Sequence, residues 1–94
     1  MADEVVGTFE AVDGGLTFRV RVNRKTLEAS FDVSQTWGSA SDAGNLKDEI
    51  TAKDGFYLAV GCTTLYVNDG AAWLKYDWMT GMTQRKNDVR AVVL

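Results

Sequence analysis

Phe9-Glu10-Ala11-Val12-Asp13-Gly14-Gly15-Leu16-Thr17-Phe18-Arg19-Val20-Arg21-Val22 decides the fold class. Apolar and polar residues alternate on both sides of a glycine-bearing dipeptide, the pattern of a β-hairpin with one buried face. Asp13-Gly14 suits a type I′ turn, which needs positive φ at both central positions. Pairing outward from it sets Ala11 against Leu16, Phe9 against Phe18, Gly7 against Val20 and Val5 against Val22, all on one face. A second turn at Asn23-Arg24-Lys25-Thr26 lacks glycine and suits a four-residue type I turn. It pairs Val22 with Leu27, Val20 with Ala29, Phe18 with Phe31 and Leu16 with Val33, and Arg21 with Glu28 on the other face. Both turns put the same residues of the middle strand inward, so Phe9, Phe18, Val20, Ala29 and Phe31 are the expected core.

Beyond this meander the alternation stops. Gln35 to Gly44 is small and polar around Trp37. Asn45 to Gly55 has a capping residue, early acids, Lys53 near its end, a terminal glycine, and Leu46 and Ile50 four apart; it reads as a short α-helix. Strand patterning returns at Phe56–Val60, where Gly61 reads as a bulge. A further hairpin, Thr64 to Trp78, is centred on Asp69-Gly70. It sets Leu65 against Leu74 and Val67 against Ala72 on one face, and Tyr66 against Trp73 and Thr64 against Lys75 on the other. Thr80-Gly81 turns the chain into a closing strand, Val89 to Leu94. That strand lacks Lys, Pro or a bulge to blunt its edge, so it is expected inside the sheet or paired with another subunit.

The order of three strands, a helix, then two or three strands predicts one mainly β domain over residues 1–94. Its expected form is a small, partly open antiparallel barrel or rolled sheet of the OB type. An SH3-like barrel or a compact β-sandwich is the alternative.

Composition narrows the chemistry. The 94 residues contain no His, no Pro and one Cys, with a net charge of −3. Without His no Ser-His-Asp or Cys-His arrangement can be built, and no phosphate-binding or metal-binding motif occurs. Asp48 and Glu49 are adjacent and point apart, so they cannot flank one glycosidic bond. Cys62 reads as a small buried hydrophobe. The chain is expected to be a non-enzymatic module without cofactor or metal. No apolar run reaches the length of a membrane span, and the acidic start is unlike a secretory leader. A cytoplasmic or virion-associated location, without Sec export, is the expectation.

Two surfaces stand out. Arg19, Arg21, Arg24 and Lys25 cluster on one hairpin; with an OB-like sheet they would suit single-stranded nucleic acid, while Glu10, Glu28 and Asp32 on the same face would neutralise them. The aromatic surplus is the second. The strand Ala72 to Trp78 has aromatic residues on both faces, and a half-buried strand needs only one. Tyr66, Trp73, Lys75, Thr64 and Trp37 therefore form the expected binding set, acting on a protein partner or in self-assembly, with single-stranded nucleic acid or a glycan as the alternative ligand.

Thr64-Leu65-Tyr66-Val67-Asn68-Asp69-Gly70-Ala71-Ala72-Trp73 resembles an aromatic hairpin, T-x-x-Y-x-x-D/N-G-x-x-W, of bacteriophage head-fibre, tail-fibre and similar virion proteins. The resemblance covers ten residues. It implies a virion-associated or host-interaction module; an acidic inhibitor is a second concrete version of such a module.

Overall fold

Eight antiparallel strands, joined in sequence order, form two four-stranded meanders in a computed structural model that describes residues 5–36, 38–56 and 58–94. The first sheet holds β1 (Val6–Asp13), β2 (Leu16–Asn23), β3 (Glu28–Gln35) and β4 (Gly38–Asn45). The second holds β5 (Ile50–Phe56), β6 (Ala59–Asn68), β7 (Ala71–Thr80) and β8 (Thr83–Val93). Among the described residues there is no helix and no closed barrel, which overturns the expected barrel or rolled sheet with its short helix.

The inward faces of the two sheets share one core. Leu16, Phe18, Val20, Val22, Ala29, Phe31 and Val33 enter it from the first sheet. Leu65, Ala72, Leu74, Tyr76, Trp78 and Val92 enter it from the second. Phe18 stacks on Tyr76 across the gap, ring centroids 4.2 Å apart. Each aromatic pair of this kind adds about 0.5–1.5 kcal/mol to the burial of its area. Of the five expected core residues Phe18, Val20, Ala29 and Phe31 are buried and Phe9 is half-buried against the same core; of the other positions expected on that face, Ala11 and Leu27 are half-buried and Val5 is exposed.

The registers of the first two hairpins differ from expectation by two residues. Gly14 and Gly15 both have positive φ, 60° and 84°, so they are the two turn residues and Asp13 pairs with Leu16. In the second hairpin Leu27 also adopts positive φ, 66°, and belongs to the turn. The Asn23 side chain accepts the backbone N–H of Lys25 and Thr26, at 2.9 and 3.0 Å, and the Asn23 carbonyl accepts that of Leu27 at 2.8 Å. Arg21 therefore faces Ser30 rather than Glu28. A slip of two keeps every side chain on its face, which is why the core was right and the partners were not. The Asp69-Gly70 hairpin has the expected register, with Tyr66 opposite Trp73 and Leu65 opposite Leu74.

Residues 45–55 are a turn and a strand, not a helix. The Asn45 side chain accepts the Lys47 N–H at 2.9 Å, and the Leu46 N–H reaches the Leu27 carbonyl at 2.8 Å. Leu46 and Ile50 are both buried, Leu46 from the turn and Ile50 from β5. From Ile50 the burial alternates with period two, so Thr51, Lys53 and Gly55 face outward. The polar stretch before it is β4. Its inward positions are Gly38, Ala40, Asp42 and Gly44, and the two glycines lie against β5: an added Cβ on Gly44 would sit a tight 3.2 Å from Ile50, and one on Gly38 3.4 Å from Phe56.

Three further readings change. β5 ends at Phe56 and β6 begins at Ala59, so the expected strand Phe56–Val60 spans a hairpin connection. Gly61 stays in register with both neighbours and is no bulge. The irregularity falls between Ala72 and Trp73, where β8 accommodates Ala91 as an extra residue. β8 is an edge strand, not an interior one; this bulge is the blunting device that the sequence had not disclosed. Arg24 also reaches over from the first sheet and donates from Nε to the Val93 carbonyl at 2.8 Å.

Candidate functional site

The alternation along β6 and β7 that sends Leu65, Leu74, Tyr76 and Trp78 inward sends Tyr66, Thr64, Trp73 and Lys75 outward. Tyr66 and Trp73 are directly opposed across the ladder, in a non-glycine segment held by the turn at Asp69 (φ 52°) and Gly70 (φ 74°). Both rings are half-buried. Their polar atoms are satisfied within the chain. The Trp73 indole N–H donates to the Asn68 carbonyl at 2.9 Å. The Tyr66 hydroxyl donates to the Asp88 carboxylate, 2.7 and 2.8 Å from its two oxygens. That bond, above all, raises the Tyr66 pKa from its ordinary value.

Thr64 lies one pair along, at the boundary of burial, with its hydroxyl 3.2 Å from that of Thr51. It is a packed part of the floor, while Lys75 opposite it is exposed. Trp37 lies outside the described residues. Two residues of the surface were missed: Arg90, opposite Trp73, and Asp88, opposite Lys75. The outward alternation Gln84, Lys86, Asp88, Arg90 would have disclosed them had β8 been taken back to Thr83. Cys62 is half-buried on this outward face, between Lys53 and Asp77, and is not a core residue.

The basic cluster separates. Arg19 and Arg21 share the outward face of the first sheet, where Arg19 donates to the Glu10 carboxylate at 2.9 Å. Such an exposed pair contributes at most about 1 kcal/mol. Arg24 turns instead to β8, and Lys25 sits exposed on the β2–β3 turn. The four cations thus do not make one patch.

A second polar cluster lies at one end of the core. Tyr76 donates its hydroxyl to Asp13 at 2.6 Å, and the Arg85 guanidinium lies 3.6 Å from the same carboxylate. Burial first, and then the bond to Asp13, push the Tyr76 pKa up to about 12. The folded protein therefore keeps this proton where the unfolded chain, titrating near 10, has lost it. The group's stabilisation is complete below pH ~10 and is lost as the pH rises towards ~12. Denaturation midpoints of the wild type should fall across that window more steeply than those of Tyr76→Phe; parallel profiles would rule out the linkage.

Among the described residues no helix is long and apolar enough to cross a membrane. The fold and this surface define a small all-β protein of two antiparallel sheets with an aromatic outward hairpin. No protein-family model, curated protein or solved structure matches the chain.

Proposed function

We propose that the chain is a non-enzymatic binding or assembly module that engages a protein partner, or another copy of itself, through the outward face of β6–β8. The observation that carries this reading is the opposed pair Tyr66 and Trp73, whose polar atoms are already bonded inside the chain. Such rings are held in place before binding and present area at little cost in side-chain entropy. Lys75, Asp88 and Arg90 surround them with both signs of charge, which suits the mixed rim of a protein interface better than a polyanion. The likeness of this hairpin to those of phage fibre proteins supports placing the surface in a virion or host-interaction assembly.

Trp73→Ala is the test. It should weaken the complex with a partner retained by the immobilised wild-type chain by ~2 kcal/mol or more, and shift stability by less than ~1 kcal/mol. A fall in melting temperature above ~10 °C would show that Trp73 serves packing instead and would retire the surface. For self-assembly, sedimentation of the wild type must show a species heavier than the monomer that Trp73→Ala removes.

A further inference from the structure

The outward face of the first sheet is a separate surface with different chemistry. Its central rows follow from the ladders: Thr8, Arg21, Ser30 and Ala43 in one, Glu10, Arg19, Asp32 and Ser41 in the next. These rows line a shallow groove of about 970 Å³. That is within the usual size of a small-ligand site, ~300–1,000 Å³.

Hydrogen bonding across the groove is incomplete in two places. Asp32 faces Arg19 across the ladder, but the Arg19 Nε is turned to Glu10 on the other side. Asp32 Oδ1 is buried and has no hydrogen-bond partner among the described residues. A buried carboxylate oxygen without a donor carries a desolvation cost that a ligand's donor would relieve. Arg21 has hydroxyl side chains, Thr8 and Ser30, as its two cross-strand neighbours, and no acid directly opposite. Its fork has donors to offer, and Ser30 and Ser41 can both donate and accept.

We propose that this groove binds neutral oligosaccharides, with Asp32 accepting from and Arg21 donating to sugar hydroxyls, and Ser30 and Ser41 completing the contacts. A hydroxyl-rich ligand supplies donors and acceptors together, which is what these residues leave open. In the two rows Glu10 and Asp32 balance Arg19 and Arg21, and Asp42, which also lines the groove, is a further acid, so an anionic ligand gains no net attraction. The outward positions of these rows hold no aromatic ring. Phe9 and Phe31, which also border the groove, belong to the inward face and pack with the core, so bases have no platform to stack on and a protein partner has no aromatic anchor. The same lack of stacking sets the expected affinity in the millimolar range, where ΔG of binding is about −4 kcal/mol.

The test is amide NMR of the full chain titrated with four neutral tetrasaccharides, of glucose, mannose, galactose and N-acetylglucosamine, to ~10 mM. At least one should shift the amides of Arg21, Ser30, Asp32 and Ser41, with an affinity unchanged between ~50 and ~500 mM salt. Asp32→Ala and Arg21→Ala should each weaken it about tenfold or more, and Trp73→Ala should leave it unchanged. Both groove variants change outward side chains, and their amide dispersion reports that the fold is kept. No shift with any of the four sugars, shifts confined to the second sheet, or variants that bind like the wild type would each overturn the site. None of these outcomes bears on Tyr66 and Trp73, so this inference and the proposed function fail separately.

Discussion

Gly61→Ala is expected to destabilise the protein by ~3 kcal/mol or more, at the top of the range for inserting an atom into a packed core. Gly61 lies on β6 opposite Trp78 of β7. A Cβ there would collide with the backbone carbonyl oxygen of Asp77, and would lie 2.5 Å from Trp78 Cγ and 2.6 Å from its Cα. None of these atoms can yield cheaply. Two are backbone atoms held by the β6–β7 ladder. The third belongs to a fully buried indole, stacked on Phe56 at 5.4 Å and donating to the Thr63 hydroxyl at 2.9 Å. Displacing Trp78 would strand its indole N–H in the core, which adds the penalty of an unmade hydrogen bond. For a domain of this size the loss corresponds to a fall in melting temperature of roughly 12 °C or more. A variant melting within ~3 °C of the wild type would show that the two strands can part at this point.

Phe18→Ala is expected to cost ~3–5 kcal/mol, the range for emptying a buried aromatic site. Phe18 is fully buried on a central strand of the first sheet, and its ring stacks on Tyr76 of the second at an interplanar angle of 21°. Truncation removes contact from both sheets at once and leaves Tyr76 without its stacking partner, while the Tyr76 bond to Asp13 remains. The folded state of a domain this small is stable by only roughly 5–15 kcal/mol, so about a fifth or more of the total is at stake. Urea titration should show the midpoint fall with an unchanged slope, since the surface exposed on unfolding is nearly the same. A midpoint equal to the wild type's would mean that Phe18 does not bridge the sheets.

Sequence patterning located the faces in this protein and much less of what meets across them. Where side chains are large and alternate, as from Leu16 to Val22, parity alone sends Leu16, Phe18, Val20 and Val22 inward. Parity is blind to a slip of two, so the turn must decide the register. Asp69-Gly70 decided it correctly because it is the one pair there that ends in a glycine, the form that suits positive φ at both positions. In Asp13-Gly14-Gly15 two pairs suit it, and the structure uses the glycines. Tyr66 and Trp73 were legible as an opposed outward pair for the same reason, whereas Asp88 and Arg90, which complete their surroundings, come from β8, whose extent no local signal marked.

The sequence by itself determined a β-rich chain, the inward faces of β2, β3, β6 and β7, and the aromatic hairpin. Tertiary structure alone decided the absence of the helix, the identity of β4, and the separation into two sheets. Asn45 to Gly55 carries helix-compatible spacing in Leu46 and Ile50, but an isolated helix of two or three turns is marginal in water. Both side chains find burial from a turn and a strand, and β5 pairs with β6 along its whole length. β4 has no apolar alternation, since its inward positions are Gly38, Ala40, Asp42 and Gly44, and the two glycines lie against Phe56 and Ile50. The apolar contact there is supplied by the neighbouring strand, and a strand whose partner provides the side chains leaves no periodic mark in its own sequence.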